Sequence, residues 1–207
     1  MWALIAMLAL QEVPSDLIDA ALTAPPPPPD FTSYDVAPPR CDDGEASEEQ
    51  RAALAAYDFL IGDYAVTGHI WQGSGWSPPR PGAQPSRWNG YYGLGGTAIF
   101  DEWFTTDPGT DPDTNRGINI RMVKPDGDWA MSWIASPGYG VQSLTASEGE
   151  DGWLRMVQEY PERPGFEAVF VRINDNRWGR IHMQPNPNGE GVTPILLVAT
   201  RLPCAST

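Results

Sequence analysis

Positive charge, histidine, cysteine and long hydrophobic runs are all scarce in this sequence of 207 residues. It has 13 lysines and arginines against 27 aspartates and glutamates, which gives a formal net charge of −14. A surface of this sign repels phosphate backbones and anionic lipid headgroups, so we expect no nucleic-acid partner. After the first ten residues no apolar segment is long enough to span a bilayer, so we expect no membrane insertion of the mature domain.

Metal-binding and catalytic motifs are also missing. Only two histidines occur, His69 and His182, which excludes a three-histidine metal centre, and neither lies in a cluster with cysteine. The sequence Gly73-Ser74-Gly75 lacks the strand, turn and helix of a nucleophile elbow. Asp101 and Glu102 are adjacent, so in a strand they point to opposite faces and cannot form a facing pair of carboxylates. We predict no metal and no catalytic residue, with an enzyme acting on a hydrophobic small molecule as an alternative.

Residues 1–46 are predicted to form a leader. The opening run MWALIAMLAL resembles a signal segment without a basic region, and a disordered or interfacial apolar N-terminus is the other interpretation. A short helix over 14–22 follows, and then five prolines, Pro25–Pro29, favour an extended polyproline II spacer. An export signal predicts a periplasmic or secreted protein. We expect a folded domain over 47–204 and a tail over 205–207.

The two cysteines, Cys41 and Cys204, flank the predicted domain. Barrel folds bring their first and last strands together, so a disulfide between these residues would join the leader to the last strand. Such a bond would suit an oxidising compartment. Two separate reduced thiols are the alternative.

Periodicity predicts one helix followed by many strands. The helix begins at Ser47, which has capping-box spacing to Gln50, and it ends at Gly62. Apolar residues then recur with period two, which predicts strands near 63–72, 88–92 with 96–105, 117–124, 128–135, 141–147, 152–160, 166–173, 177–184 and 194–202. This pattern is typical of an all-β sandwich or an antiparallel up-and-down barrel, and we favour a barrel of about eight to ten strands. The loop over 73–87 is expected at one mouth of it.

Four short motifs in this order resemble the calycin superfamily, in particular its bacterial lipocalin-like domains. They are FLIGDY at the entry to the first strand, Leu94-Gly95-Gly96 before the strand TAIFDEWF, Asp128-Trp129 at the start of the strand WAMSWIAS, and Arg201 near the end of the last strand. The resemblance implies that Tyr64, where these domains usually carry tryptophan, packs beneath Arg201 as a structural pair at the closed end of the barrel.

The same resemblance sets which side chains face the interior. If Tyr64 points inward, then so do Val66, Gly68 and Ile70, and the last strand contributes Ile195, Leu197 and Ala199. This lining predicts an apolar cavity. A solvated outer face is the expectation for the polar candidates Glu102, Arg121, Arg172, Arg180 and His182. If two or three of them meet inside, they would anchor a carboxylate or hydroxyl of a ligand.

We therefore predict binding of a small, mostly apolar molecule inside the barrel. The predicted ligand-binding residues are Val66, Ile70, Glu102, Arg121, Trp133, His182 and Leu197. No cofactor is expected, with haem ligated by His182 as the alternative, since related barrels use a wall histidine in this way. A cavity-free barrel that acts as an interaction module is a further alternative.

Overall fold

A computed structural model describes residues 12–24, 40–79, 84–106, 109–111, 114–136, 138, 140–163, 166–185 and 191–204. Within these residues, ten antiparallel strands close into a barrel in which sequential strands are neighbours and the first strand pairs with the last. The predicted all-β, up-and-down barrel is confirmed. The apolar run over 1–10, the five prolines and the tail lie outside the described residues.

The ten strands have the following bounds: β1 (Gly62–Ile70), β2 (Ser86–Gly93), β3 (Ala98–Phe104), β4 (Arg116–Val123), β5 (Trp129–Ser136), β6 (Gly140–Glu148), β7 (Leu154–Tyr160), β8 (Glu167–Asn174), β9 (Arg177–Pro185) and β10 (Val192–Arg201). Closure comes from β1 and β10, which pair from Tyr64 with Arg201 to Ile70 with Ile195. Pairing of the first and last strands satisfies backbone groups that would otherwise form open sheet edges.

One end of the barrel is filled by the segment that precedes β1, and we call it the plugged end. The predicted capping box is present, because Ser47 Oγ accepts from the Gln50 amide and Gln50 Oε1 accepts from the Ser47 amide. The single helix predicted from Ser47 to Gly62 is instead a short helix, α2 (Glu48–Ala53), followed by a 3₁₀ helix (Ala55–Leu60). Residues three apart eclipse one another in a 3₁₀ helix, so this form directs the apolar triplet listed next into the barrel. The triplet is Leu54, Tyr57 and Leu60, each at most 1% exposed.

A second helix, α1 (Ser15–Leu22), packs against the outer wall of β8 and β9. Leu17, Ile18 and Ala21 are buried there against outward-facing residues of the barrel, which include Val169, Val171, Ile181 and Met183. An eight-residue helix is too short to persist alone, so this contact stabilises it. It also explains why β8 carries apolar side chains on both of its faces.

Residues 40–44 run along the outer wall near the plugged end. The Arg40 amide donates to Asp63 Oδ2 at 2.8 Å, and this segment covers a buried ion pair between Asp63 and Arg87. Cys41 and Cys204 form the disulfide expected from the sequence. Within the described residues, the helices are all too short or too polar to cross a bilayer.

The first part of the connection after β1 folds back on the outer wall and does not cover a mouth of the barrel. Trp71 forms a β-bridge with Trp76, with ring centroids 5.2 Å apart, and both rings pack on the outer apolar cluster. His69 is buried on the same wall, where its ring contacts Thr67 Oγ1 and the Ser77 carbonyl, each at 2.8 Å. Residues 80–83 of the predicted mouth loop lie outside the described residues.

Candidate functional site

The plugged half of the interior is packed with aromatic rings. The Trp178 ring lies 5.3 Å from that of Trp88 and 5.8 Å from that of Tyr64, both edge-on. Arg201 Nη2 donates to Tyr64 Oη at 2.6 Å, and the same guanidinium lies 4.9 Å from the centre of the Tyr64 ring. Tyr64 Oη in turn donates towards the Phe59 and Ile61 carbonyls at 2.6 and 3.0 Å. The described residues in this half of the interior therefore form a packed aromatic core.

An ion pair between Asp101 of β3 and Arg121 of β4 lies near the middle of the barrel. Arg121 Nε donates to Asp101 Oδ2 at 2.5 Å and Nη2 donates to Oδ1 at 3.4 Å, and both side chains are 0% exposed. The guanidinium also stacks 4.6 Å from the centre of the Tyr57 ring. Both oxygens of Asp101 are thus directed at one arginine.

Beyond this ion pair, towards the end opposite the plug, the interior contains a cavity of about 190 Å³. Its apolar lining residues are Trp133, Leu144, Met156 and Phe166. Its polar lining residues are Asn119, Gln142, Arg163, Arg180, His182 and Gln184. Polar and apolar residues are interspersed in part, since Asn119 and Gln142 pair with Trp133 on its two sides in the sheet, and no carboxylate is among these lining residues.

Arg180 and His182 of β9 are the least compensated groups in the cavity. Among the described residues, Arg180 Nε and His182 Nδ1 have no hydrogen-bond partner. Burial, with a smaller contribution from Arg121, lowers the pKa of Arg180 to about 10, so the guanidinium stays charged at neutral pH. Burial and then the charge of Arg180 lower the pKa of His182 to about 3, so its ring is neutral. The site thus presents one cation and one neutral imidazole side by side.

The interior differs from the prediction of a largely apolar lining with polar candidates outside. Arg121, Arg180 and His182 all face inwards. For Arg180 and His182 the physical reason is that α1 covers the outer face of β9, so the apolar residues Ile181 and Met183 point outwards and the polar face of the strand turns in.

Val66 and Leu197 face the interior, as alternation along β1 and β10 predicted, and Trp133 packs against the same interior cluster. Ile70 lies at the end opposite the plug and is 51% exposed. Arg172, the remaining polar candidate, forms an exposed ion pair with Asp58.

Glu102 lies on the outer wall, apart from this group. It accepts from Tyr91 Oη at 2.9 Å and pairs with Arg40 at 3.3 Å. It borders a larger depression of about 500 Å³, whose walls include Ile118 and Ile134. Since Glu102 is already paired and the other walls are mainly aliphatic, this open groove offers less chemistry than the smaller internal cavity.

No protein-family model matches this chain, and no curated protein is similar to it. Function must therefore be argued from the cavity itself. Among the described residues, no group of three His, Cys, Asp or Glu side chains is placed to hold a metal ion. Pockets for drug-sized ligands measure about 300–1,000 Å³, so a haem at His182 would need a wider cavity than this one.

Four polar lining residues are not among the ligand-binding residues predicted from the sequence, namely Asn119, Gln142, Gln184 and the arginine at the rim, Arg163. Arg180 is one of the polar candidates but not one of the predicted ligand-binding residues. The sequence pattern could have indicated an inward position for Arg180, because Arg180 and His182 share a strand face with Trp178, which is buried.

Proposed function

We propose that this chain is a lipocalin-like barrel of the calycin type that binds a small molecule in its internal cavity. The observation that carries the proposal is a cavity of about 190 Å³ lined by four apolar and six polar side chains. Such a mixed lining suits a ligand with an apolar body and a polar end, since apolar side chains supply burial and a few polar groups fix orientation. Of the predicted residues, Trp133 and His182 would contact it directly.

Binding is favoured over catalysis because the described residues that line the cavity include no suitable base. The internal carboxylate, Asp101, is held by Arg121 and fully buried. His182, with a pKa of about 3, is a weak base at neutral pH. The cavity also argues against an interaction module with a solid core. We further propose that the protein is bacterial and exported to the periplasm or the medium, where the Cys41–Cys204 disulfide would persist.

Cavity filling tests this proposal. Gln142 lines the cavity, and its neighbour Ser143 in β6 is exposed on the outer wall. We expect Gln142→Trp to occupy the space and weaken small-molecule binding at least tenfold, whereas Ser143→Trp should leave binding unchanged. Binding is measured by NMR titration with benzoate, benzamide and indole, and native mass spectrometry reports any co-purified ligand.

Two results of the same experiment would contradict the proposal. If none of the three probes shifts resonances of cavity residues in the millimolar range, and the native mass equals that of the bare chain, the proposal is wrong. Equal loss of binding in both tryptophan variants would place the site elsewhere.

A further inference from the structure

The interior of the barrel carries an uncompensated positive charge. Near its middle, Asp101 and Arg121 compensate each other, and Arg180 adds a positive charge that has no paired carboxylate among the described residues. Arg163 adds a second cation at the rim of the cavity, where its guanidinium lies 4.6 Å from the centre of the Phe166 ring. In a chain with a net charge of −14, a positive interior is opposite in sign to the molecule as a whole.

Asp101 attracts Arg180, but its hydrogen bonds go to Arg121. Both of its oxygens accept from Arg121, at 2.5 and 3.4 Å, and among the described residues no carboxylate forms an ion pair with Arg180. A buried charge that has no partner is strongly unfavourable unless it is compensated. Protein atoms surround Arg180, yet part of its surface faces the cavity. A molecule in the cavity can therefore supply the missing charge.

The neighbouring groups suit an anion with hydrogen-bond acceptors. Among the described residues, His182 is 5% exposed and carries an unpartnered ring nitrogen, and the Asn119 amide, which lines the same cavity, has an unpartnered oxygen. An amide can turn either its NH₂ or its oxygen to a ligand, and a neutral imidazole can donate from one nitrogen. Together with the guanidinium fork, these groups can surround the two oxygens of a carboxylate.

We propose that the cavity binds a small organic monoanion, a carboxylate with a flat or compact apolar body. This inference rests on the proposed binding function and names its ligand class. The carboxylate pairs with Arg180, while the body packs between Trp133 and Phe166. Arg180 is the buried cation of the cavity, and one carboxylate supplies the single negative charge that it lacks.

The volume limits the size of this ligand. A cavity of about 190 Å³ corresponds to roughly six water molecules at ~30 Å³ each. That space suits a carboxylate of roughly six to ten non-hydrogen atoms and excludes a long fatty-acid chain from full enclosure. The cation at the rim, Arg163, would attract anions towards the entrance at low ionic strength.

The test compares benzoate with its neutral isostere benzamide by isothermal titration calorimetry on the full-length protein. We expect benzoate to bind the natural protein at least tenfold more tightly than benzamide. Arg180→Met should weaken benzoate at least tenfold and leave benzamide unchanged. Arg180→Lys, which keeps the charge, should retain part of the benzoate affinity. Arg116→Gln removes a cation from the outer face of β4 and serves as the matched control.

Stability measurements separate a binding role from a structural one. We expect Arg180→Met to raise the melting temperature, because it removes a buried unpaired charge. A lower melting temperature together with unchanged benzoate binding would show that Arg180 is structural and overturn the inference. Benzamide binding as tightly as benzoate, with both lost in Gln142→Trp, would also overturn it while leaving the proposed function intact. Inorganic phosphate binding more tightly than benzoate would contradict an organic ligand, and absence of benzoate binding in the millimolar range would contradict the anion site itself.

Discussion

The buried ion pair between Asp101 and Arg121 makes a sharp prediction about stability. Asp101→Asn keeps the size of the side chain and removes its charge, which leaves Arg121 without a counter-ion at a position that is 0% exposed. The interior would then hold two unpaired guanidinium groups, those of Arg121 and Arg180. We expect this single substitution to be among the most destabilising in the barrel.

The magnitude follows from two independent estimates. Two unit charges about 4 Å apart attract by about 4 kcal/mol at the effective dielectric constant of ~20 that describes most protein sites. Removal of one partner from a buried pair costs about 3–5 kcal/mol in measured cases. We therefore expect Asp101→Asn to lower the free energy of unfolding by about 4 kcal/mol.

A double replacement separates the pair from its surroundings. Asp101→Val combined with Arg121→Met removes both charges and keeps an apolar filling, so its stability should equal or exceed that of the natural protein. Stability is measured by urea unfolding followed through tryptophan fluorescence, with the disulfide intact. Asp126→Asn, at an exposed ion pair with Lys124, is the control and should change nothing measurable.

Either of two results would contradict a dominant role for charge in this pair. A loss below about 1 kcal/mol for Asp101→Asn would mean that water or a rearranged side chain compensates Arg121. A double variant no more stable than the single one would mean that shape, and not charge, determines the effect.

Alternation along the strands was sufficient to predict the barrel and the inward faces of β1 and β10. Val66 and Leu197 lie where their positions in these strands placed them, because a one-residue shift would exchange the two faces of a strand. The ion pair could not be predicted in the same way. Asp101 lies directly opposite Asn119 across the β3–β4 pair and reaches diagonally to Arg121. This register depends on the connection between the two strands, which is too long to be a standard hairpin turn.

The polar residues of β9 were expected on the outer face, and this prediction was wrong for a different physical reason. The rule that apolar residues face inwards assumes that water lies outside the barrel. On β9 the outside is α1, a segment more than 150 positions earlier in the chain, and the amide of Val13, just before α1, donates to Glu167 of β8. Ile181 therefore points outwards and Arg180 inwards. Sequence periodicity shows that such a strand has two unlike faces, but only the tertiary contact decides which one forms the interior.

The disulfide and His182 give two further predictions. Cys41 and Cys204 are 163 positions apart, so replacing both by serine should lower the free energy of unfolding by roughly 5 kcal/mol on the chain-entropy estimate, measured by urea unfolding. His182 has a folded-state pKa of about 3, below the unfolded value of ~6.5, so the unfolded chain binds an extra proton as the pH falls through this window. From this residue alone, the free energy of unfolding should fall by about 3 kcal/mol as the pH is lowered from 7 to 4. His182→Gln should lack that part of the loss, while His69, present in both proteins, cancels in the comparison. An NMR titration of His182 with a midpoint near pH 6.5 would contradict this, because it would mean that the ring is hydrated and that the cavity is open to bulk water.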